Sequence, residues 1–302
     1  MKFASPRTDF AFKKIFGAES SKDILISFLN SVLNLDIKEI DILDPYQAPV
    51  VDILKESIVD VRARIATGET FIIEMQVLNQ GGFRQRVMYN TMKAYVNQLK
   101  ASEEYHKLKP VIGLTITDFI MFEDSDNTKS NFQMIEKDRH ETYHNDLELV
   151  FIELPKFKKN LEELEGIVEK WYYFMKHTEN LDIIPENLGE IPEIKHALEI
   201  ANFATFTPKE LEIQENKQRY LVNAKYRDYE IKEKGRKEGH AQGHEEGREE
   251  GREEGREEGR AEQLIDLFKK GVIDKETTTR ELSQLQNNLS KDAYTEYLNR
   301  LS

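Results

Sequence analysis

The chain has 302 residues, of which 39% are hydrophobic and 33% charged, with no cysteine and a net charge of −13. This length suits two domains with a sizeable core, and the composition reads as soluble and globular; the longest uncharged apolar stretches, such as 111–116, fall far short of the roughly 18 residues that span a bilayer. Without cysteine there is no disulfide framework, cysteine-zinc site or thiol nucleophile, so any chemistry must come from carboxylates, histidines, hydroxyls and bases.

The opening nine residues lack the apolar run of a signal peptide, and a cytoplasmic location is the expectation. Thr8 or Asp9 caps a first helix that carries Phe10, Phe12, Lys13 and Phe16 and stops at Gly17. A second helix starts at Ser20 or Ser21, and Ile24, Leu25, Phe28, Leu29, Val32 and Leu33 recur on one face of it. A strand over 37–43 precedes a loop punctuated by Pro45 and Pro49, and strands over 57–65 and 69–77 follow. Only Ala66, Thr67 and Gly68 separate those two, which predicts an antiparallel hairpin with glycine in the left-handed position. Gly81 and Gly82 then open a helix predicted to run to about Tyr105, and strands are expected over 109–117 and within 131–136 and 147–154. The order is helix, three strands, helix, strand, which suits a mixed sheet flanked by helices.

Beyond Leu161 the pattern is mainly helical, with Trp171 to Phe174 read as packing aromatics. From 235 to 259 a glycine recurs at every fourth residue around a Gly-Arg-Glu-Glu unit. Each interior glycine costs about 1 kcal/mol relative to alanine, so an isolated helix there should be marginal. The repeat reads as a solvated helical linker, with self-association through it as the alternative. Residues 1–160 hold 21 basic and 24 acidic side chains and the rest hold 22 and 32, so the acidity belongs mostly to the second half. That balance argues against a generic charge-driven nucleic-acid coat, which needs clustered Lys and Arg, and leaves room for a local basic cleft.

Side chains alternate between the faces of a strand. With Ile65 opposite Glu69, counting back places Asp60 opposite Glu74. Like charges directly opposite each other are destabilising unless compensated, so the pair asks for a cation. Mg²⁺ or Mn²⁺ suits, because both accept carboxylate and water oxygens, and Gln76 lies one step along the same face to orient a water. The competing reading is an ordinary sheet surface on which Arg62 or Arg64 pairs with the two acids. Asp9 joins the site from the first helix or merely caps it. Arg86 and Tyr89, three apart on a helix, offer a phosphate contact and a stacking platform, or a surface arginine over a packed tyrosine. Lys13 is a further phosphate contact. A separate motif, His140-Glu141-Thr142-Tyr143-His144, matches H-E-x-x-H, whose zinc-peptidase chemistry needs both histidines on one helical face. Little amphipathic helix fits there; Glu162 or Glu163 would be the third ligand.

Several motifs form an ordered set: Phe10-Ala11-Phe12-Lys13-Lys14-Ile15-Phe16-Gly17 after Asp9, Val59-Asp60-Val61, Ile73-Glu74-Met75-Gln76, Phe83-x-x-Arg86-x-x-Tyr89, Tyr105 ahead of Lys109-Pro110-Val111-Ile112, and Ile152-Glu153-Leu154-Pro155-Lys156. The set resembles the Rpn family of recombination-promoting nucleases, transposase-like proteins of the PD-(D/E)XK superfamily, over about residues 3–160. The resemblance implies an α/β, restriction-endonuclease-like α-β-β-β-α-β core with a mixed sheet, followed by a helical C-terminal region. It also implies a Mg²⁺- or Mn²⁺-dependent DNA endonuclease linked to recombination, mobile DNA or phage defence, with Asp60 and Glu74 on the metal and Gln76 at the position that is lysine in the superfamily. Val59 stands where that pattern has proline. A neutral amide holds a water but does not supply lysine's positive charge; glutamine at this place is itself similar to the Rpn pattern. The expected division is a nuclease core over 1–160, a helical extension over 161–232, a low-complexity linker over 233–262 and a small helical tail over 263–302, with DNA as partner, a homo-oligomer through the repeat, and no membrane. A non-catalytic DNA-binding or assembly protein on the same fold is the alternative.

Overall fold

A computed structural model describes residues 1–47, 57–100, 102–286 and 289–301. The chain forms two compact units, Met1–Lys225 and Tyr226–Ser302. In the first, helix α1 (Asp9–Phe16) begins where the Thr8 hydroxyl accepts a hydrogen bond from the Ala11 N–H and ends at Gly17. Helix α2 (Lys22–Leu33) ends with Asn34 in the left-handed region at φ 56°. The Asn30 side chain then holds the backbone of Ile37 from both sides, donating to its carbonyl and accepting from its N–H, which turns the chain into strand β1 (Ile40–Leu43).

Strands β2 (Tyr46–Gln47) and β3 (Ser57–Ile58) form a small separate pair; Pro49 of the predicted loop lies outside the described residues. The strand expected over 57–65 is therefore two strands. It breaks at Val59 and Asp60 before β4 (Val61–Ile65), because the Asp60 carboxylate takes the N–H of Met75 in place of a ladder bond. Val59 consequently packs with Ile72, Ala94 and Val111, whereas Val61 packs into the main core on the opposite face; the two do not share a side as simple alternation predicts. The hairpin to β5 (Thr70–Gln76) has the expected register, Val61 opposite Ile73 through Arg64 opposite Thr70, with Gly68 at φ 104°.

Helix α3 (Phe83–Val96) follows Gly82 and stops well before Tyr105. The Gln98 side chain exchanges two hydrogen bonds with the backbone of Lys109, drawing the chain directly toward β6 (Val111–Thr117). Strands β7 (Lys129–Gln133) and β8 (Leu147–Glu153) complete a mixed six-stranded sheet of order β1-β4-β5-β6-β8-β7. β5, β6 and β8 run parallel, and the other neighbours are antiparallel. Parallel strands need crossovers, and α3 supplies the one between β5 and β6. It lies so close that a Cβ on Gly113 would sit 2.3 Å from the Thr91 hydroxyl.

The other face of the sheet carries the principal core. Phe71, Ile73, Leu114, Ile116, Val150 and Ile152 meet Phe12, Phe16, Phe28 and Trp171 there. That layer also includes α4 (Ile167–His177), the short α5 (Glu186–Gly189) and α6 (Pro192–Ala201), whose buried Trp171, Leu188, Ile194 and Leu198 belong to the same cluster. The element order α1, β1, β4, β5, α3, β6 gives the α-β-β-β-α-β core and mixed sheet expected from the sequence, followed by helices.

Helix α7 (Pro208–Lys269) runs without interruption through all seven repeat glycines, where the sequence predicts a marginal helix. Both of its ends are fixed by packing, and helix propagation is much easier than nucleation. At the first end Lys14 pairs with Glu210 and Thr8 donates to Gln214. At the last end Ala261 and Ile265 pack with Leu282 of α8 (Lys275–Leu285) and Tyr297 of α9 (Lys291–Asn299), and Arg300 forks onto Glu262. Among the described residues, and apart from the adjoining residues and nearby backbone of the helix itself, no atom lies within 4 Å of a Cβ built on any of the repeat glycines. Among the described residues no helix is long and apolar enough to cross a membrane.

Candidate active site

A cleft of about 470 Å³ opens at the end of β5 and is lined by Asp9, Lys13, Asp60, Glu74, Gln76 and Arg86 together with residues of α7. The hairpin register brings the two central acids there. Asp60 directly precedes β4, at the place that continues the pairing of Val61 with Ile73 to Glu74. Its Oδ2 accepts the Met75 N–H at 2.8 Å, and its Oδ1 stands 3.5 Å from Lys13 Nζ. Lys13 is also 2.6 Å from Asp9 Oδ1, one turn earlier on α1. Glu74 is 8% exposed. Its Oε1 accepts from Asn90 Nδ2 at 2.6 Å, and its Oε2 lies 3.9 Å from Arg86.

Arg62 and Arg64 do not take the role that the surface reading gave them. The acids face Lys13 and Arg86 instead, while Arg64 donates to Thr70. The reason is the break at Asp60, which turns its carboxylate onto the neighbouring strand rather than along the ladder.

Burial drives the electrostatics. It pushes the Asp60 carboxyl up to about 7, and the negative charges of Asp9 and Glu74 add to this against the opposing pull of the Met75 N–H and Lys13. Glu74 is also raised by burial, with Asn90 and Arg86 opposing. Asp9 moves the other way: burial raises it, but the hydrogen bond and charge of Lys13, the hydrogen bond to Asp60 and the charge of Lys217 together hold it below the ordinary range. Lys13 is raised in turn, since its acidic neighbours outweigh its burial. The Asp60 carboxyl thus lacks enough positive charge to ionise fully at neutral pH, burial pushes Glu74 in the same direction, and that deficit is what a cation would fill.

The donor set fits a hard divalent ion. Asp60 and Glu74 offer oxygens, whereas Asp9 is engaged by Lys13 and, at 4.0 Å, by Lys217. Among the described residues no three His, Asp or Glu side chains gather into a metal cage, so an ion held by this pair would keep much of its water, as Mg²⁺ does. The Oδ1 of Asn90, buried beside Glu74, has no hydrogen-bond partner, an open acceptor of the kind that bound water satisfies. Gln76 is held at both ends of its amide: Arg86 donates to its Oε1 at 2.7 Å, and its Nε2 donates to the Leu78 carbonyl at 2.8 Å.

Six of the seven singled-out residues line one cleft, and Tyr89 does not. Tyr89 lies half-exposed with Lys93 Nζ 5.8 Å above its ring. A spacing of three leaves two side chains about 60° apart on one flank of a helix and a spacing of four about 40° apart on the other, and here it is Asn90 rather than Tyr89 that follows Arg86 into the site. That periodicity could have revealed Asn90. Lys217, Tyr220 and Leu221 of α7 also line the cleft, and no local pattern in the sequence points to them. The H-E-x-x-H segment forms no helix: His140 sits in a turn at φ 58°, Ile135 bridges to Thr142, and His144 pairs with Asp146. Its histidines therefore do not share a helical face, and the peptidase alternative has no site.

No curated protein and no solved structure matches the chain. The family described as PD-(D/E)XK nuclease family transposase matches residues 6–229, a stretch that contains the whole sheet, both central acids and the part of α7 that lines the cleft. The chain belongs to the PD-(D/E)XK nuclease family of transposases.

Proposed function

We propose that this protein is a Mg²⁺- or Mn²⁺-dependent DNA endonuclease that hydrolyses phosphodiester bonds at the cleft. The observation that carries the reading is a partly buried Asp60 beside Glu74, its carboxyl pKa raised to about 7 by burial and by neighbouring negative charge, in a cleft that also presents Lys13 and Arg86. Asp60 and Glu74 hold the ion. When bound, it supplies Lewis-acid neutralisation of phosphate charge and lowers the pKa of a water. Gln76, its amide fixed by Arg86 and the Leu78 carbonyl, orients the attacking water, and Lys13 brings the positive charge that an amide lacks. Arg86 and Lys13 contact the phosphodiester, while Asp9 keeps Lys13 charged and in place.

Incubating plasmid with the purified protein and Mg²⁺ or Mn²⁺ tests this directly. Nicking or linearisation is expected, and it should vanish in Asp60→Ala and Glu74→Gln; cleavage that survives Asp60→Ala would refute the site. One observation favours a second reading, a DNA-binding or assembly protein without catalysis: the superfamily's lysine position holds a neutral Gln76. DNA binding with no cleavage under any divalent metal would select it.

The biological setting we infer is DNA recombination, mobile DNA or phage defence, in the cytoplasm. The open glycine edges of α7 support self-association, since small residues let helices approach closely. The full chain should then have a larger multiple of its own mass in solution than a chain ending at Lys232, and equal monomeric masses would remove the idea.

A further inference from the structure

Strand β7 ends the sheet within the first compact unit. Among the described residues its one neighbouring strand is β8, so its other edge presents backbone N–H and C=O groups outward. Open edges template pairing with another chain, and natural sheets blunt them with charge, proline or cover. The opposite edge, β1, carries the exposed Asp41. β7 has no such device: residues 130–135 hold neither a charge nor a proline, and Lys129 is turned inward to the Val32 carbonyl at 2.9 Å.

The surface beside this edge is apolar. Pairing with β8 sets Ser130 opposite Phe151 and Phe132 opposite Leu149, and those partners pack with Phe83 and Val87 of α3, so this face of β7 looks toward α3. The strand runs on into a hairpin tip where Ile135 bridges Thr142 and the Tyr143 N–H donates to the Met134 carbonyl at 3.0 Å, which puts Met134 and Tyr143 on the same face as Phe132. Between that face and α3 lies a groove of about 160 Å³, lined by Met88, Met92, Phe132, Met134, Leu147 and Leu149 and by no charged residue. Met88, Met92, Phe132 and Met134 are 42–47% exposed and Tyr143 80%. With roughly 200 Å² on a large side chain, they leave on the order of 500 Å² of apolar surface in water, as much as the largest patch on a typical monomer.

We propose that two copies of this chain join through this surface, β7 against β7, antiparallel about a two-fold axis. Directly opposed residues of paired strands share a face, so an axis perpendicular to the sheet brings Phe132 and Met134 of both copies together at the rims of the two grooves. The pair buries about 1,000 Å² of apolar side chain, the size a specific interface needs, before the strand backbones are counted. Charge selects the same occupant. Residues 129–141 hold three basic and three acidic side chains, a balance of zero in a chain of −13, so two copies meet here without the repulsion their acidity imposes elsewhere, and a polyanion gains nothing. Each copy has one such edge, so the two-fold pair is closed.

Sedimentation velocity of the full chain over a range of concentration tests this. The assembly should contain at least two copies, and Phe132→Glu/Met134→Glu should weaken the association by at least about 100-fold, since like charges then meet in an apolar contact. Both side chains are nearly half-open in the single chain, so the variant should melt with the parent. The chain has no cysteine, which allows a second readout independent of that variant. Of Asn131→Cys, Phe132→Cys and Gln133→Cys, each made singly, at least one should form a covalent dimer on mild oxidation, because a residue at the axis faces its own copy within reach of a disulfide. Ile183→Cys, exposed outside this surface, should form none. A monomer at every concentration would overturn the proposal, as would no cross-link at any of the three positions. So would an assembly that the glutamate variant leaves intact, which would place the association on α7, or a monomer that binds phosphatidylserine vesicles through this face. None of these readouts involves cleavage, so failure of the nuclease reading leaves this inference standing, and its failure leaves that reading untouched.

Discussion

Asp60→Asn is expected to stabilise the metal-free protein at pH 8 by about 2 kcal/mol while reducing cleavage by about 10³-fold, the scale of removing one aimed electrostatic group. Asparagine still accepts the Met75 N–H, so the backbone hydrogen bond survives. The stability effect follows from linkage. In the folded chain the Asp60 carboxyl is raised from 3.8 to about 7, so the folded state holds its proton more tightly than the unfolded state does. The stability this gives is fully present below about pH 4 and is lost as pH rises through 7. Above that, the ionised group is a standing cost, which at 1.36 kcal/mol per unit amounts to about 4 kcal/mol. Half of it is assigned to the variant, because a neutral amide at this position leaves Lys13 with one acidic partner instead of two. Thermal melts at pH 8 and pH 3 should show the gain at the higher value and almost none at the lower. Added Mg²⁺ or Mn²⁺ should stabilise the parent by mass action and leave the variant unmoved. A variant no more stable than the parent at pH 8 would mean that Asp60 is already compensated, and the case for a cation would fail with it.

Lys156→Met is expected to destabilise the fold by about 3–5 kcal/mol, the scale of a buried ion pair broken on one side. Glu153 is 0% exposed. Its carboxylate accepts from the N–H groups of Met121 and Phe122 and from Lys156 Nζ at 2.6 Å, while Lys156 also donates to the Phe122 carbonyl. Together they pin the loop that follows β6. The same loop receives Arg84, which donates to the Met121 carbonyl and lies 5.0 Å above the Phe122 ring. The pair therefore steadies the first turn of α3, from which Arg86 reaches Gln76. Replacing both members, Glu153→Gln with Lys156→Met, should recover much of the loss, because no buried charge is then left alone. Urea unfolding decides the matter: a single-variant loss under about 1 kcal/mol, or no recovery in the double variant, contradicts it.

Elements set by local chemistry were legible in the chain itself. The Thr8 cap and Gly17 stop define α1, and the short loop ending at Gly68 fixes the hairpin and with it the register that carries Asp60 to Glu74. Hydrophobic period and turn residues act over a few positions, so a reader of the sequence sees the same forces as the folding chain. The break at Asp60 was not legible, because its competing hydrogen bond comes from Met75, fifteen residues away. Nor was the continuity of α7. Glycine propensity predicts a weak helix, and its persistence depends on packing against α1 at one end and against α8 and α9 at the other.

The sequence by itself determined the pair of acids, the order of the strands and the family pattern, since register and period are short-range properties. Only the tertiary structure decided what surrounds that pair. Asn90 satisfies Glu74, Lys13 and Arg86 replace the arginines of the strand as counter-charges, and α7 forms a wall of the cleft from more than 130 positions downstream of Glu74. Burial and charge compensation depend on which distant segments are packed together, and no local pattern in a chain encodes that.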